Sequence, residues 1–415
     1  MMICVWNTGS TALKFELIQL TPKSLDARGE TKPFEKIIAK GKIRRIGSKP
    51  AFVSFSCHSQ ELEINEARTN RAHSIASGVD LLLQKLLDSQ TIRAFDEINA
   101  CAFKTVHLQG ADRVDGTTEL TPAVLDQMAA YNNVAPAHNP PYLELIRACQ
   151  THMPDTAMIG AFEFEFHRTM PPYAYRYSVP YEWCEQWGVR RYGFHGASHQ
   201  YIGERTAELY PDRTALKVIN AHLGGSSSLC AIRNGRSIDT SMGFSPQGSI
   251  PNATRNGEFD LFAGLWLMER EDLTVAQLQE QLCRNGGLAG VSGLVGGSLP
   301  AILREAAKGN VRCQDAIDLW TYDIRKMIGG YTAALGGLDV LTFTGGIGEH
   351  ERRIRQQICE GVAFLDIRID PHRNEKRGEQ QISRGESGVA AWVIPTHEEI
   401  IVARRALRLL ASRNP

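Results

Sequence analysis

Hydrophobic positions recur with two periods along this chain. Period two is clearest in AFEFEFHRTMP, residues 161–171, where Phe162, Phe164 and Phe166 alternate with Glu163, Glu165 and His167. Such alternation predicts a half-buried β-strand with one apolar and one polar face. The pattern leaves two fates for the charged face: it meets water, or it turns one carboxylate into a cleft. The N-terminal MICVWNTGSTALKFELIQL predicts an apolar strand, a small polar turn and a second alternating strand. A similar order returns in KVINAHLGGSSSLCAIRNGRSID, residues 217–239: strand, a turn through Gly224, Gly225, Ser226, Ser227 and Ser228, then strand again. Asn234-Gly235 follows as a favoured two-residue hairpin turn. One Gly/Ser turn is ordinary hairpin chemistry. Two of them, each between strands, predict a duplicated domain whose halves present backbone N–H groups to an anion.

Helical spacing marks HSIASGVDLLLQKLLDS (73–89), the stretch 349–365 through Ile354, Ile358 and Val362, and the amphipathic EEIIVARRALRLLA that ends the chain. DVLTFT (339–344) reads as a buried strand, and the glycine-rich GGLAGVSGLVGGSLPAI (286–302) as a loop region. Strands and helices alternate, so the class is α/β. In VIPTHEEIIVARRA, Thr396 and Glu399 fit a capping box, which gives Glu399 a structural role. Glu398 is left at the same helix start, to meet solvent or a cation.

A chain of 415 residues predicts about two to three domains. It carries 46 basic and 46 acidic side chains, which removes the broad basic footprint of a nucleic-acid binder. The start MMICVWNTGS has no basic region and a short apolar run, so neither a signal peptide nor a membrane span is expected. Nine cysteines are scattered without a C-x-x-C pair, which fits reduced thiols in a cytoplasm rather than a disulfide frame or zinc site.

Three stretches invite chemistry. In DVLTFTGGIGEHERRIRQ, Gly345, Gly346 and Gly348 sit where a strand hands over to a helix N-terminus, whose N–H groups attract phosphate. The unit has neither a Walker lysine nor a full G-x-G-x-x-G, so a tight turn and a phosphate cradle are both open. RRYGFHGASHQYIGERT (190–206) places His195 and His199 four residues apart. The glutamate of H-E-x-x-H is absent, so hydrogen-bonded structure is expected there rather than a metal. MGFSPQGSIPNATRNGEFD (242–260) is a polar loop whose Arg255 matters if an anion must be held.

Taken in order, VWNTGSTALKF, APAHNPP, FEFHRTMP, RRYGFHGASH, HLGGSSSLCAIRNGRSIDTSMGF, TRNGEFD, FTGGIGE and IPTHEEIIVAR resemble the acetate kinase (acetokinase) family, of the acetate and sugar kinase, Hsp70 and actin superfamily. The resemblance runs from residue 5 to about residue 404. It implies duplicated actin-like ATPase (ribonuclease H-like) domains with an interdomain cleft. One domain would span 1–164, completed by a C-terminal helix at about 399–415, and a nucleotide-binding domain would span 165–398. The implied reaction is reversible transfer of the terminal phosphoryl group of ATP to a short carboxylate, acetate or propionate, with Mg²⁺, in a homodimer.

By the same resemblance Glu163, His195 and Arg255 would be catalytic, the last two holding the phosphoryl group in the transition state. Asn7 and Glu398 would lie near the metal. Ser10, Lys14, His222, Leu223, Gly224, Gly225, Ser226, Gly346, Ile347, Gly348, Glu349 and His350 would embrace the nucleotide. Lys104, Val106, Ala137, His138, Phe194 and Pro246 would bind the acid. A carboxylate acceptor is ionised at neutral pH, so the site must supply alignment and charge neutralisation rather than a strong base.

The chain departs from the family pattern at several of these positions. Lys104 replaces an arginine, keeping the charge without the bidentate fork. Glu163 replaces an aspartate and is one methylene longer. Ala12 and Gly225 replace a serine and an asparagine of the two turns, and His350 and His397 replace asparagines. Ala137 replaces a leucine, which would widen the acyl pocket toward propionate. The family's adenine-side aspartate and arginine have no equivalents around 293–302. These changes leave two alternatives beside the carboxylate kinase: a weak paralogue that senses a nucleotide or metabolite, and an acyl kinase with another phosphoryl donor.

Overall fold

The computed structural model describes residues 1–9, 12–21, 34–57 and 62–413. The chain forms two compact units, Met1–Glu165 with His397–Pro415, and Phe166–Thr396.

The first unit is built on a sheet of eight strands: β1 (Met2–Thr8), β2 (Ala12–Thr21), β3 (Phe34–Arg44), β4 (Ala51–Cys57), β5 (Leu62–Thr69), β6 (Ala100–Phe103), β7 (Thr117–Glu119) and β8 (Ala157–Ala161). Their order is β5-β4-β3-β2-β1-β6-β8-β7. β1, β6 and β8 run parallel, whereas β1 through β5 are antiparallel neighbours. Ile3 to Trp6 and Ala100 to Phe103 are wholly buried, as befits parallel strands covered on both faces. The covering helices include Ile75–Asp88, Asn139–His152 and Glu398–Arg413. Ser74 caps the first of these, and Val79, Leu82, Leu83 and Leu86 form its buried stripe.

The second unit holds β9 (Lys217–His222), β10 (Ser228–Arg233), β11 (Arg236–Thr240), β12 (Val340–Thr344), β13 (Gln380–Gln381) and β14 (Ala390–Val393), in the order β11-β10-β9-β12-β14-β13. β9, β12 and β14 are parallel, and β9-β10-β11 antiparallel. Thus β3-β2-β1-β6-β8 and β11-β10-β9-β12-β14 repeat one pattern, three antiparallel strands followed by two parallel ones. The duplication expected from the two Gly/Ser turns is present. Asn234 and Gly235 both have positive φ, 52° and 72°, as a two-residue hairpin turn requires. The core packs the Val311–Leu335 helix, through Ile317, Trp320, Ile324 and Ile328, with Leu341 and Phe343 of β12 and with Ile354 and Ile358.

Four local expectations are overturned. The alternating stretch is not a strand: β8 stops at Ala161, a turn follows, and a 3₁₀ helix spans Glu165–Thr169. Of the two fates open to its polar face, Glu163 and His167 take burial, at 2% and 0% exposed, while Glu165 is half-buried. Distant backbone decides the bend. Phe162 N–H donates to Gly116 O at 2.8 Å and Glu163 N–H to Thr105 O at 2.9 Å. Phe162 O then accepts Glu165 N–H at 3.1 Å and the Arg405 guanidinium at 3.2 Å.

Residues 286–302 are not a loop, because Gly287–Ser292 and Leu299–Ala306 are helical. The glycines serve close backbone approach rather than flexibility. A Cβ on Gly287 would sit 2.2 Å from Asn252 O, and one on Gly297 1.9 Å from Ala253 O. The helix expected over 349–365 begins earlier and breaks, giving Gly345–His350 and Arg352–Gly361. The buried Arg355 donates to the Gly348 and Glu349 carbonyls at 2.9 and 3.0 Å, taking acceptors a continuous helix would use internally. Finally, Thr396 and Glu399 form no capping box. The buried Thr396 hydroxyl has no hydrogen-bond partner among the described residues, and the Glu399 carboxylate goes to Lys14.

All nine cysteines are free thiols. Among the described residues no helix is long and apolar enough to cross a membrane.

Candidate active site

In the first unit the end of β1, the residue after β6, the turn after β8 and the start of the last helix bring charged side chains together. Lys104 donates to Glu398 Oε2 at 2.6 Å and lies 3.8 Å from Glu163 Oε2. Burial pulls the Lys104 ammonium down, but Glu163 and Glu398 outweigh it and hold it above the ordinary lysine range. Asn7 Oδ1 accepts from the buried Tyr142 hydroxyl at 3.1 Å. Burial raises that phenol, so it stays a donor. Glu398 Oε1 is buried without a hydrogen-bond partner among the described residues. With Asn7 Oδ1 it supplies oxygen donors of the hard kind that suit Mg²⁺.

Lys14 lies in β2 rather than in the turn, paired with Asn7 across the β1–β2 ladder. Its ammonium is 2.7 Å from Glu399 and 3.6 Å from Glu16. Burial raises Glu399, but Lys14 outweighs it and leaves that carboxyl at about 2. His397 adds a 3.0 Å contact to Glu16. Glu16, His397 and Glu399 offer ligand atoms within 4.8 Å of one another, but Lys14 and Lys40 already supply positive charge there. Val106 is buried, His138 half-buried and Ala137 exposed. Ser10 lies outside the described residues.

In the second unit the Gly224–Ser227 turn and the glycine-rich Gly345–His350 helix are tied to each other. Leu223 N–H donates to Thr344 O at 2.7 Å, and Leu223 O accepts Ile347 and Gly348 N–H at 2.9 and 3.0 Å. Gly345 has φ 79° there, and a Cβ on it would lie 2.7 Å from Leu223 O. Gly225, Gly346 and His350 are exposed, while Gly224, Ser226, Ile347 and Glu349 are half-buried. Burial pushes the Glu349 carboxyl up.

His195 opens the Gly196–Leu209 helix in a left-handed conformation, φ 55° and ψ 28°, which is uncommon for a non-glycine residue. Phe194 just before it is buried, and its carbonyl accepts His167 Nε2–H at 3.0 Å. The His195 ring stacks on His222 with centroids 4.2 Å apart, and His222 Nδ1 meets Ser198 Oγ at 2.8 Å. His195 Nδ1 lies 2.8 Å from Ser228 Oγ, and His199 Nε2 lies 2.9 Å from the same oxygen. Burial, helped by His167 and His222, keeps His199 neutral. Both histidines of the pair are thus joined through the Ser228 hydroxyl.

Arg255 is 7% exposed, not solvated. It donates to the carbonyl of the buried Pro246 at 2.6 Å and to the Ser226 hydroxyl. Among the described residues no carboxylate lies within ion-pair distance of it, and burial pulls the guanidinium down to about 10. A desolvated cation held by neutral acceptors is poised for an anion.

The sequence pattern did not single out Tyr142, Asn220 or Thr342, and it placed Ser228 in a turn rather than beside His195 and His199. One signal was present: Asn220 is an amide set among the apolar Val218, Ile219 and Ala221 of the KVINAH strand.

The duplicated fold carries a lysine set between carboxylates in one unit and a buried arginine beside a glycine turn in the other, side chains suited to anions, and comparison with known proteins makes the class a phosphotransferase. Residues 2–404 match the model of the Acetokinase family. The chain is 37% identical over 414 residues to the acetate kinase of Phocaeicola vulgatus, covering 99% of this chain and 100% of that protein. The acetate kinase of Bacteroides thetaiotaomicron is also 37% identical, with 99% and 100% covered. Among solved structures, Porphyromonas gingivalis acetate kinase superposes with a TM-score of 0.80 at 33% identity, covering 99% of each chain. A propionate kinase from Francisella tularensis gives 0.83 at 29% identity, covering 97% of this chain and 98% of that one. The chain belongs to the acetokinase family and is a kinase with a carboxyl group as acceptor.

Proposed function

We propose that the chain moves the terminal phosphoryl group of ATP to acetate or propionate, reversibly, in a Mg²⁺-dependent homodimer of the cytoplasm. The observation that carries the reading is Arg255, a buried guanidinium with neutral acceptors and, among the described residues, no carboxylate. A carboxylate oxygen of the acid forms the new bond to phosphorus, and the bond from phosphorus to the leaving oxygen of ADP breaks. No proton has to leave the acceptor, so charge and alignment dominate the barrier. Arg255 and His195 are assigned to the charge on the transferring group, and the turn at 223–226 and the short helix at 346–350 to the nucleotide. Lys104 and Glu163 organise the acid, and Ala137 leaves room for a propionyl chain. Glu398 and Asn7 would hold Mg²⁺, which when bound supplies charge neutralisation at the phosphates.

Leu261, Phe262 and Trp266 are 70%, 78% and 61% exposed on one helix, an apolar face that a second copy would cover. The free thiols fit a reducing compartment. The deciding test is acyl-hydroxamate formation from acetate, propionate and butyrate with ATP, GTP or pyrophosphate. Product from acetate and propionate with ATP is expected. No turnover of any acid with ATP would overturn the reading.

A further inference from the structure

A chain of buried side chains runs from β12 to the His195 ring. Thr342 Oγ1 donates to Asn220 Oδ1 at 2.8 Å, which turns the Asn220 amide nitrogen to His199 Nδ1 at 2.9 Å. His199, Ser228, Asn220 and Thr342 are all 0% exposed, so no water competes for these bonds. A neutral histidine that accepts at Nδ1 carries its proton on Nε2. His199 Nε2–H therefore donates to Ser228 Oγ, and the Ser228 hydroxyl hydrogen goes to His195 Nδ1. Each bond in the series fixes the direction of the next.

We propose that Asn220, His199 and Ser228 are positioning residues that lock His195 as its Nε2–H tautomer, so that the ring presents a donor and not a lone pair to the transferring phosphoryl group. The reverse tautomer would aim a lone pair at an anion. The left-handed backbone of His195 and the anchored Phe194 carbonyl fix the ring's origin, and the stack on His222 fixes its plane. The hydroxyl series fixes what remains, the place of the proton. This inference rests on the assignment of His195 to phosphoryl transfer.

Two measurements on the full chain separate the inference from that assignment. Long-range ¹H–¹⁵N spectra of histidine-labelled protein, with the His195 signal identified by its loss in His195→Gln, should show the Nε2–H form. An Nδ1–H form overturns the proposal without any variant. In Ser228→Ala the His195 signal should move toward a mixture of tautomers. Its kcat should fall by about tenfold with the KM values nearly unchanged, less than the roughly 10²–10³ lost when such a donor is removed outright. Ser228→Thr keeps the hydroxyl and should restore both readouts. Wild-type kcat and a single tautomer in Ser228→Ala overturn the proposal, as does an equal loss of kcat in the Ala and Thr variants with the tautomer unchanged. A mixed tautomer with unchanged kcat overturns the positioning role through the assignment of His195 itself, and leaves the hydrogen-bond chain as structure.

Discussion

The two units repeat one strand order but fill it with opposite chemistry. Where β1 meets β2, Asn7 pairs with Lys14, and the side chains around them are ions: Lys14 with Glu16 and Glu399, Lys104 with Glu163 and Glu398. Where β9 meets β10, His222 pairs with Ser228, and the neighbours are linked by hydrogen bonds rather than ion pairs: two histidines, serines and an amide. The cation of that region, Arg255, donates to neutral acceptors. The difference shows that a common backbone sets where a turn falls, whereas charge balance is chosen separately in each half. One half carries its counter-ions within itself. The other leaves a positive charge for an anion to complete.

The comparison breaks most visibly at Arg255. Arg255→Gln should lower kcat/KM by about 10³, because a buried donor for developing charge is lost, with little change in thermal unfolding. A comparable loss of stability and a small loss of rate would mean that Arg255 serves folding. In the first unit the balance should reverse. Lys104→Met leaves Glu163 and Glu398 facing each other in a buried place, and urea unfolding should report a loss of about 3 kcal/mol.

The Lys14–Glu399 pair sharpens the contrast through pH. The Glu399 carboxyl sits at about 2 in the folded chain, below its unfolded value of about 4.3. A depressed carboxyl contributes stability that is fully present above the unfolded value and is lost as pH falls through the folded one. Unfolding free energy should therefore drop between pH about 4 and about 2 by on the order of 2–3 kcal/mol from this group. Glu399→Gln should flatten that part of the profile. The smallest effect is expected at Ala137, which is exposed. Ala137→Leu should shift the ratio of kcat/KM for propionate over acetate toward acetate by about tenfold, the scale of a methylene in a pocket. No shift would remove Ala137 from the acyl site.

The lengths Lys104 and Glu163 present to each other offer a finer test. Lys104→Arg and Glu163→Asp should each lower kcat/KM, and the double variant should recover part of the loss. The shorter cation and the longer acid meet at 3.8 Å, so residues in contact are expected to couple. Strict additivity would show that the two act separately.

Legibility differed by region. The strands around both Gly/Ser turns and the Asn234-Gly235 hairpin could be read locally, because a period of two and a positive-φ dipeptide are short-range properties. The stretch from Phe162 to His167 misled for the same reason. Its alternation was real, but Gly116, Thr105 and Arg405, all distant in sequence, claim its backbone and bend it. Glycine misled at 286–302, where it marks close approach to Asn252 and Ala253 rather than looseness. Glu399 fitted a cap by spacing and became an ion-pair partner because β2 delivers Lys14 to it.

The sequence by itself determined the α/β class, the duplication, the Asn234-Gly235 hairpin and, through its motifs, the family to which the chain belongs. These depend on local periodicity and on residues adjacent in the chain. Only the tertiary structure decided that Glu163 is buried against Lys104, that Arg255 is held by neutral acceptors, and that Ser228 joins His195 to His199. Burial and hydrogen-bond direction are properties of residues far apart in sequence, and they exist only once each unit has folded around them.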